Sequence, residues 1–384
     1  MPSELIYTNA TVVTRHEVFH GSVRVVDGII RDVDPGTAVV AGAIDLNNDM
    51  LLPGLVELHT DGLERHIIPR PGVIWPSALE SVMAHDTNVI GAGITTVLDA
   101  VAVGDYIGEK NETAMRNKIL DLSVSAIGRG VETGVFRSRH FLHLRCEISD
   151  PRLVELFQQY CDSSLVKLVS VMDHTPGQRQ WSDLKQFRKY YQNRNWSEEQ
   201  IAGILEGKTQ AQLENSVANR TIIIQAARDR HLPIASHDDT IPDHVDQAVE
   251  DGFTISEFPT TQAAAEHAHT MGIKTIMGAP NVVRGNSHSG NVSALEMARL
   301  GLLDALSSDY VPNSMIHAAF MLHRRAGLEL PEAVAKVSAN PADMLGLKDC
   351  GRIEAGLRGD IVRVGLVDDL PVVRNVWREG RRVI

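Results

Sequence analysis

Six side chains able to ligate a divalent metal fall at one kind of position in this chain, the polar end of an apolar run. LLPGLVELHTD (51–61) shows the pattern first. Side chains alternate along a strand, so His59 and Asp61 share a face at the end of a buried segment. Glu147 ends FLHLRCE, His174 ends VKLVSVMDH, His237 lies in LPIASHDD and Asp309 in DALSSDY. Imidazole nitrogens mixed with carboxylates suit Zn, Mn, Fe or Ni better than Mg alone. A dinuclear centre with a bridging anion needs about six protein ligands, so a pair of divalent ions is expected. Glu147 is the candidate bridging carboxylate, and Asp309 is a monodentate ligand or the general base. Glu257 (SEFPTT) and Asp99 (VLDA) are rival carboxylates. Singly, each residue has a bland explanation, a hydrogen-bonded strand-end histidine or a helix-capping aspartate. Their repetition at the same place in successive runs argues for a site.

A second group is cationic. Arg70 (PRPG), Arg145 (HLRCE), Arg179 (PGQRQ) and Arg284 (NVVRGNSHSGN) all stand near the ends of the same runs. Guanidinium groups present planar forks that fit phosphate oxygens. The loop after Arg284 adds the Ser287 hydroxyl, His288 and backbone N–H groups that suit an anion. A Gly/Ser-rich loop is more often only a loop, but this one carries an Arg and a His and follows a strand.

These residues need a scaffold that brings many strand ends to one rim. Besides LVELHTD, strand-like runs occur at GITTVLDA (93–100), FLHLRCE (141–147), VKLVSVMDH (166–174), LPIASHDD (232–239), FTISEFPTT (253–261), IKTIMGAPN (273–281) and DALSSDY (304–310). Eight such runs alternating with helical stretches, over about 290 residues, predict a (β/α)8 barrel over 53–345, whose active site lies at the C-terminal strand ends. Residues 1–52 and 346–384 are strand-like, with a hairpin turn at Asp27-Gly28. They predict a small β-sandwich domain built from both termini. The polar, helix-forming stretch 178–220 follows the fourth run and reads as a lid or substrate-binding insertion.

Composition narrows the function class. The chain has 384 residues, 43% hydrophobic and 22% charged, which is the profile of a folded protein. No apolar run is long enough to span a membrane, and no secretion signal precedes the first strand. Three scattered cysteines, Cys146, Cys161 and Cys350, suit reduced thiols in a cytoplasm. A formal charge of −12 disfavours nucleic acid as a partner. An anionic substrate would have to be held by local arginines or metal against that field.

PGLVELHTD, GITTVLDA, the scattered histidines and the late SSD resemble the amidohydrolase superfamily. That resemblance implies metal-dependent hydrolysis on a (β/α)8 barrel carrying a small β domain. The superfamily usually has His-x-His at its first strand, where this chain has His59 and Asp61. With that departure, the HTD…PRP…WP run (59–76), HLRCE, MDHTPGQRQ, SHDD, EFPTT and MGAPNVVRG with SHSGN are similar to one branch. The branch acts on α-D-ribose 1-methylphosphonate 5-triphosphate in the carbon–phosphorus lyase pathway. The resemblance implies release of pyrophosphate and a 5-monophosphate from this phosphorylated ribosyl phosphonate. The alternatives are an amidohydrolase for a cyclic amide or N-acyl group and a catalytically inactive scaffold subunit. The amide reading gives no role to the rim arginines, and a scaffold would be expected to have lost ligands. A homodimer is the default assembly.

Overall fold

A computed structural model describes residues 4–37, 39–104, 110–181, 197–285 and 291–384. The chain divides into two compact units, Met1–Leu98 with Gly130–His140 and Met277–Ile384, and Asp99–Arg129 with Phe141–Ile276.

The N-terminal strands are β1 (Glu4–Val13), β2 (Val18–Val26), β3 (Ile29–Pro35), β4 (Ile44–Asp45) and β5 (Met50–Pro53). The next eight are β6 (Leu55–Thr60), β7 (Ile94–Val103), β8 (Arg139–Glu147), β9 (Val166–Met172), β10 (Ile234–His237), β11 (Ile255–Glu257), β12 (Lys274–Gly278) and β13 (Ala305–Ser307). The last are β14 (Ile361–Val367), β15 (Leu370–Arg378) and β16 (Arg381–Arg382).

Strands β6 to β13 run through one sheet in chain order. A parallel bridge between Thr60 and Asp309 joins its first and last members, closing a (β/α)8 barrel. Every residue of β6 is buried, as is nearly all of β7. Burial on both faces is what a parallel sheet covered by helices requires, and it explains why these segments read as continuous apolar runs. Helix starts follow local capping. Ser77 accepts from the Glu80 N–H, Thr261 from Ala264, and Ser197 forms a reciprocal capping box with Gln200.

The terminal segments form a second sheet, ordered β16-β15-β14-β5-β1-β2-β3, with β4 paired to β1. It is a single mixed sheet, and it encloses a core as the two faces of a sandwich would. Tyr7 on β1 meets Trp377 on β15 edge-to-face, with ring centroids 4.8 Å apart. Val12, Val23, Ile30, Leu51 and Ile361 complete that core. The sheet curls because β1 and β2 change register between Tyr7 and Ala10, and β14 and β15 between Arg363 and Val364.

The polar stretch after β9 contains one helix of 32 residues, Glu198–Asp229, about 48 Å long. It runs beyond residue 220, where the sequence reading ended the insertion. No breaker intervenes until His231, whose φ of 54° ends the helix in the left-handed region. Residues 182–196 of that stretch lie outside the described residues. No helix among the described residues is long and apolar enough to cross a membrane.

Candidate metal centre

In the first unit, β6 supplies Glu57 and His59 along one face, as the two-residue period requires, and Asp61 follows its last residue. Glu57 is fully buried, and its carboxylate accepts from the His59 N–H and from the Ser308 N–H, each at 2.6 Å. Burial pushes its pKa up to about 7 even though those N–H groups favour the charged form. The side chain therefore fastens the end of β6 to the segment after β13. The Asp309 N–H donates to the His59 carbonyl at 3.2 Å, and the Asp61 N–H donates to the Asp309 carbonyl at 3.0 Å. His59, Asp61 and Asp309 thus share one backbone junction. A Cβ added to Gly278 would lie 3.8 Å from the Asp309 Oδ2, so the end of β12 leaves room beside this carboxylate.

In the second unit, Glu147 at the end of β8 is buried and holds His174. Its Oε2 lies 2.8 Å from His174 Nδ1, and the His174 backbone N–H donates to both carboxylate oxygens at 3.2 Å. Ser149 Oγ donates to Oε1 at 2.9 Å. Burial works against ionisation of Glu147, but His174, the charge of Lys208 and Ser149 hold its carboxyl below the usual range. Both oxygens accept hydrogen bonds that orient the imidazole, an arrangement common around metal-bound histidines.

The other edge of His174 faces Asp238. His174 Nε2 lies 3.6 Å from Asp238 Oδ2, and His237 Nδ1 lies 3.0 Å from that same oxygen. Burial lowers the His174 pKa, and the two carboxylates outweigh it, raising the value to about 10. The paired histidines keep Asp238 well below its ordinary pKa despite burial. Ligand atoms of His174, His237 and Asp238 all lie within 4.8 Å of one another. Two imidazoles and a carboxylate at that spacing fit a borderline divalent cation. Asp238, absent from the sequence-derived set, is one residue beyond His237 in SHDD. Its φ of 56° aims it beside His237 rather than to the opposite face. Asp309 and Phe258, with φ of 52° and 55°, make comparable turns just past β13 and β11.

The rival carboxylates are both fully buried: Glu257 closes β11 and Asp99 lies within β7. His143, on the same face of β8 as Arg145 and Glu147, contacts Ser170 Oγ at 2.9 Å and lies 3.7 Å from Glu257.

The expected phosphate-binding residues separate into different settings. Arg70 is exposed in a short bridge with Val73, and Arg284 is exposed at the end of helix Ala279–Arg284. Arg145 is half-buried on β8. Ser287 and His288 lie outside the described residues. Arg179 is buried, and its Nη1 donates to Asp239 Oδ1 at 2.6 Å and to the His237 carbonyl at 2.9 Å. Asp239 also accepts from the hydroxyls of Ser236 and Ser256. This guanidinium braces the ends of β10 and β11. Sequence reasoning passed over Asp239 because a second Asp after a His has no periodic signal of its own. Glu57 did carry one, since it shares its parity with His59 and Asp61.

The Amidohydrolase family model matches residues 50–383. The chain is 42% identical to the alpha-D-ribose 1-methylphosphonate 5-triphosphate diphosphatase of Escherichia coli (strain K12), over 99% of this chain and 100% of that one. Among solved structures it is similar to N-acetyl-D-glucosamine-6-phosphate deacetylase from Mycobacterium smegmatis, with a TM-score of 0.64, 16% identity and full coverage (100%) of both chains. It is also similar to 5-methylcytosine deaminase from Klebsiella pneumoniae, with a TM-score of 0.64, 14% identity, 99% of this chain and 98% of that one. The last two share the fold across different reactions, as barrel scaffolds do. With a parallel barrel, side chains able to hold a metal at its strand ends and a family match over most of its length, this chain belongs to the amidohydrolase family.

Proposed function

We propose that this protein hydrolyses α-D-ribose 1-methylphosphonate 5-triphosphate to the 5-phosphate and pyrophosphate, in phosphonate catabolism. The observation that carries the reading is the likeness to the Escherichia coli diphosphatase from end to end of both chains. His59, Asp61, Glu147, His174, His237 and Asp309, with Asp238 added, are the proposed metal donors. Their mixed nitrogen and oxygen chemistry favours Zn, Mn, Fe or Ni, and a dinuclear centre. A divalent cation there supplies Lewis acidity and lowers the pKa of water. Water adds to a phosphorus of the triphosphate, the P–O bond to the departing pyrophosphate breaks, and Asp309 takes the water proton. Arg70, Arg145 and Arg284 are the proposed contacts of the polyphosphate, neutralising charge that grows on the leaving group.

Three free, buried cysteines support a cytoplasmic setting, and a homodimer is the expected assembly. Phosphorus NMR of metal-loaded protein with the ribosyl triphosphate tests the reaction. Pyrophosphate in the wild type, abolished in His59→Ala and Asp309→Ala, is the expected result. Successive orthophosphates, or turnover of cyclic amides in place of the triphosphate, would overturn it.

A further inference from the structure

Three cationic side chains are buried among the described residues: Arg179, Arg220 and Lys208. Two have anionic partners. Arg179 is paired with Asp239, and Arg220 Nη2 lies 2.6 Å from Asp251 while its guanidinium covers the Phe253 ring. Lys208 is 5% exposed, and its charge acts on the buried Glu147 without a direct hydrogen bond to it. Long cationic side chains are seldom buried without a task.

Its place in the fold indicates the task. Lys208 lies on helix Glu198–Asp229, and residues three, four and seven apart on a helix share a face. One turn on, Gln212 Nε2 donates to Asp173 Oδ2 at 3.3 Å, beside His174. Two further turns on, Asn219 Nδ2 donates to the carbonyls of Ile148 at 2.9 Å and Asp150 at 2.8 Å, just past Glu147. This face of the helix is therefore laid over the C-terminal ends of β8 and β9. Lys208 continues it, close enough for its charge to act on Glu147.

Resting on the phosphoanhydride reading above, we propose that Lys208 is a substrate-binding residue whose ammonium takes a phosphate oxygen of the 5-triphosphate chain. A lysine acts on phosphate as a mobile point charge with three donors, so it can follow an oxygen that arginine forks reach less well. The helix is then a working wall of the site rather than a cover.

Calorimetry on metal-loaded full-length protein, with inorganic triphosphate, pyrophosphate and orthophosphate as probes, tests this. Lys208→Met is expected to weaken triphosphate binding by about 10- to 100-fold, the worth of one charged hydrogen bond. Lys208→Arg should stay within about 5-fold of wild type, since charge is kept. Orthophosphate, which offers one phosphate group where triphosphate offers three, should change less than triphosphate does. Should Lys208→Met not fold, Lys208→Gln, which keeps most of the buried stem, takes its place. Unchanged triphosphate binding in the neutral variant overturns the proposal. An equal loss for orthophosphate, with weaker metal retention, would also overturn it, because Lys208 would then only offset Glu147. If wild type binds triphosphate through Lys208 but releases no pyrophosphate from the ribosyl triphosphate, the reaction reading fails and the anion contact stands.

Discussion

Arg179→Met separates a buried brace from a substrate contact. The guanidinium is 8% exposed and Asp239 is fully buried, with 2.6 Å between Nη1 and Oδ1. The substitution removes that pair and the bond to the His237 carbonyl. Among the described residues it leaves the Asp239 carboxylate hydrogen-bonded to the Ser236 and Ser256 hydroxyls, with the Arg220 charge farther off. Removing one partner of a buried pair costs about 3–5 kcal/mol, most of it the uncompensated charge. Asp239→Asn in the same background removes the orphan charge and keeps an acceptor for the serines. The double variant should therefore cost about 2 kcal/mol less than the sum of the single ones. Urea unfolding of the four metal-loaded proteins of the cycle measures this. Because Arg179 also fixes the His237 carbonyl, kcat should fall with little change in KM. A cost below about 1 kcal/mol, together with a raised KM and unchanged kcat, would refute the brace and restore Arg179 as a phosphate contact.

Four further outcomes follow from the geometry. Asp309→Asn should lower kcat by about 10²–10⁴-fold with an unaltered circular dichroism spectrum, read in a pyrophosphate-coupled assay. Glu57→Gln keeps one acceptor but turns an amide N–H toward a backbone donor, so it should cost about 1–3 kcal/mol; equal stability in denaturant would show that the β6–β13 junction closes without it. Gly54→Ala would bring a Cβ within 2.1 Å of the buried Thr95 Oγ1, and a lowered Tm reflecting about 1–3 kcal/mol is expected. Asp86 accepts from the backbone of Arg137 and Ser138 and from His140. Burial opposes its ionisation, but those donors hold its folded pKa below the usual 3.8. Its stabilisation is thus present above the unfolded pKa and lost as pH falls through the folded one. Asp86→Asn should flatten the acid limb of the stability profile below about pH 4, and an unchanged slope would contradict this.

The barrel strands were legible because each is an apolar run ended by polar residues, and that contrast survives without tertiary information. His59, Asp61 and Asp309 could be singled out for the same reason. What the chain did not reveal is which side chain a polar residue meets. Glu57 reaches Ser308, 251 positions away, and Arg179 reaches Asp239, 60 positions away. An arginine in a rim loop reads identically whether its partner is a phosphate or a buried carboxylate. Lys208 lies in a polar helix of weak amphipathic pattern, so its burial follows only from the face that Gln212 and Asn219 turn inward. The small domain was legible as strands, but its single curled sheet was not, since the curl depends on local shifts of register.

The pairing of β5 with β14, Met50 with Val364 and Pro53 with Ile361, bears on how the protein is made. On the ribosome, β5 emerges while its neighbour on that side is still unsynthesised. At about 5–20 residues per second, the intervening stretch takes roughly 15–60 s to appear. Throughout that interval a strand carrying Leu51 and Leu52 has an open hydrogen-bonding edge, the feature that recruits other nascent chains. Expression at lower temperature with holding chaperones should therefore raise soluble yield, and a stop codon before Ile361 should send the product to inclusion bodies even though every proposed metal donor has been translated.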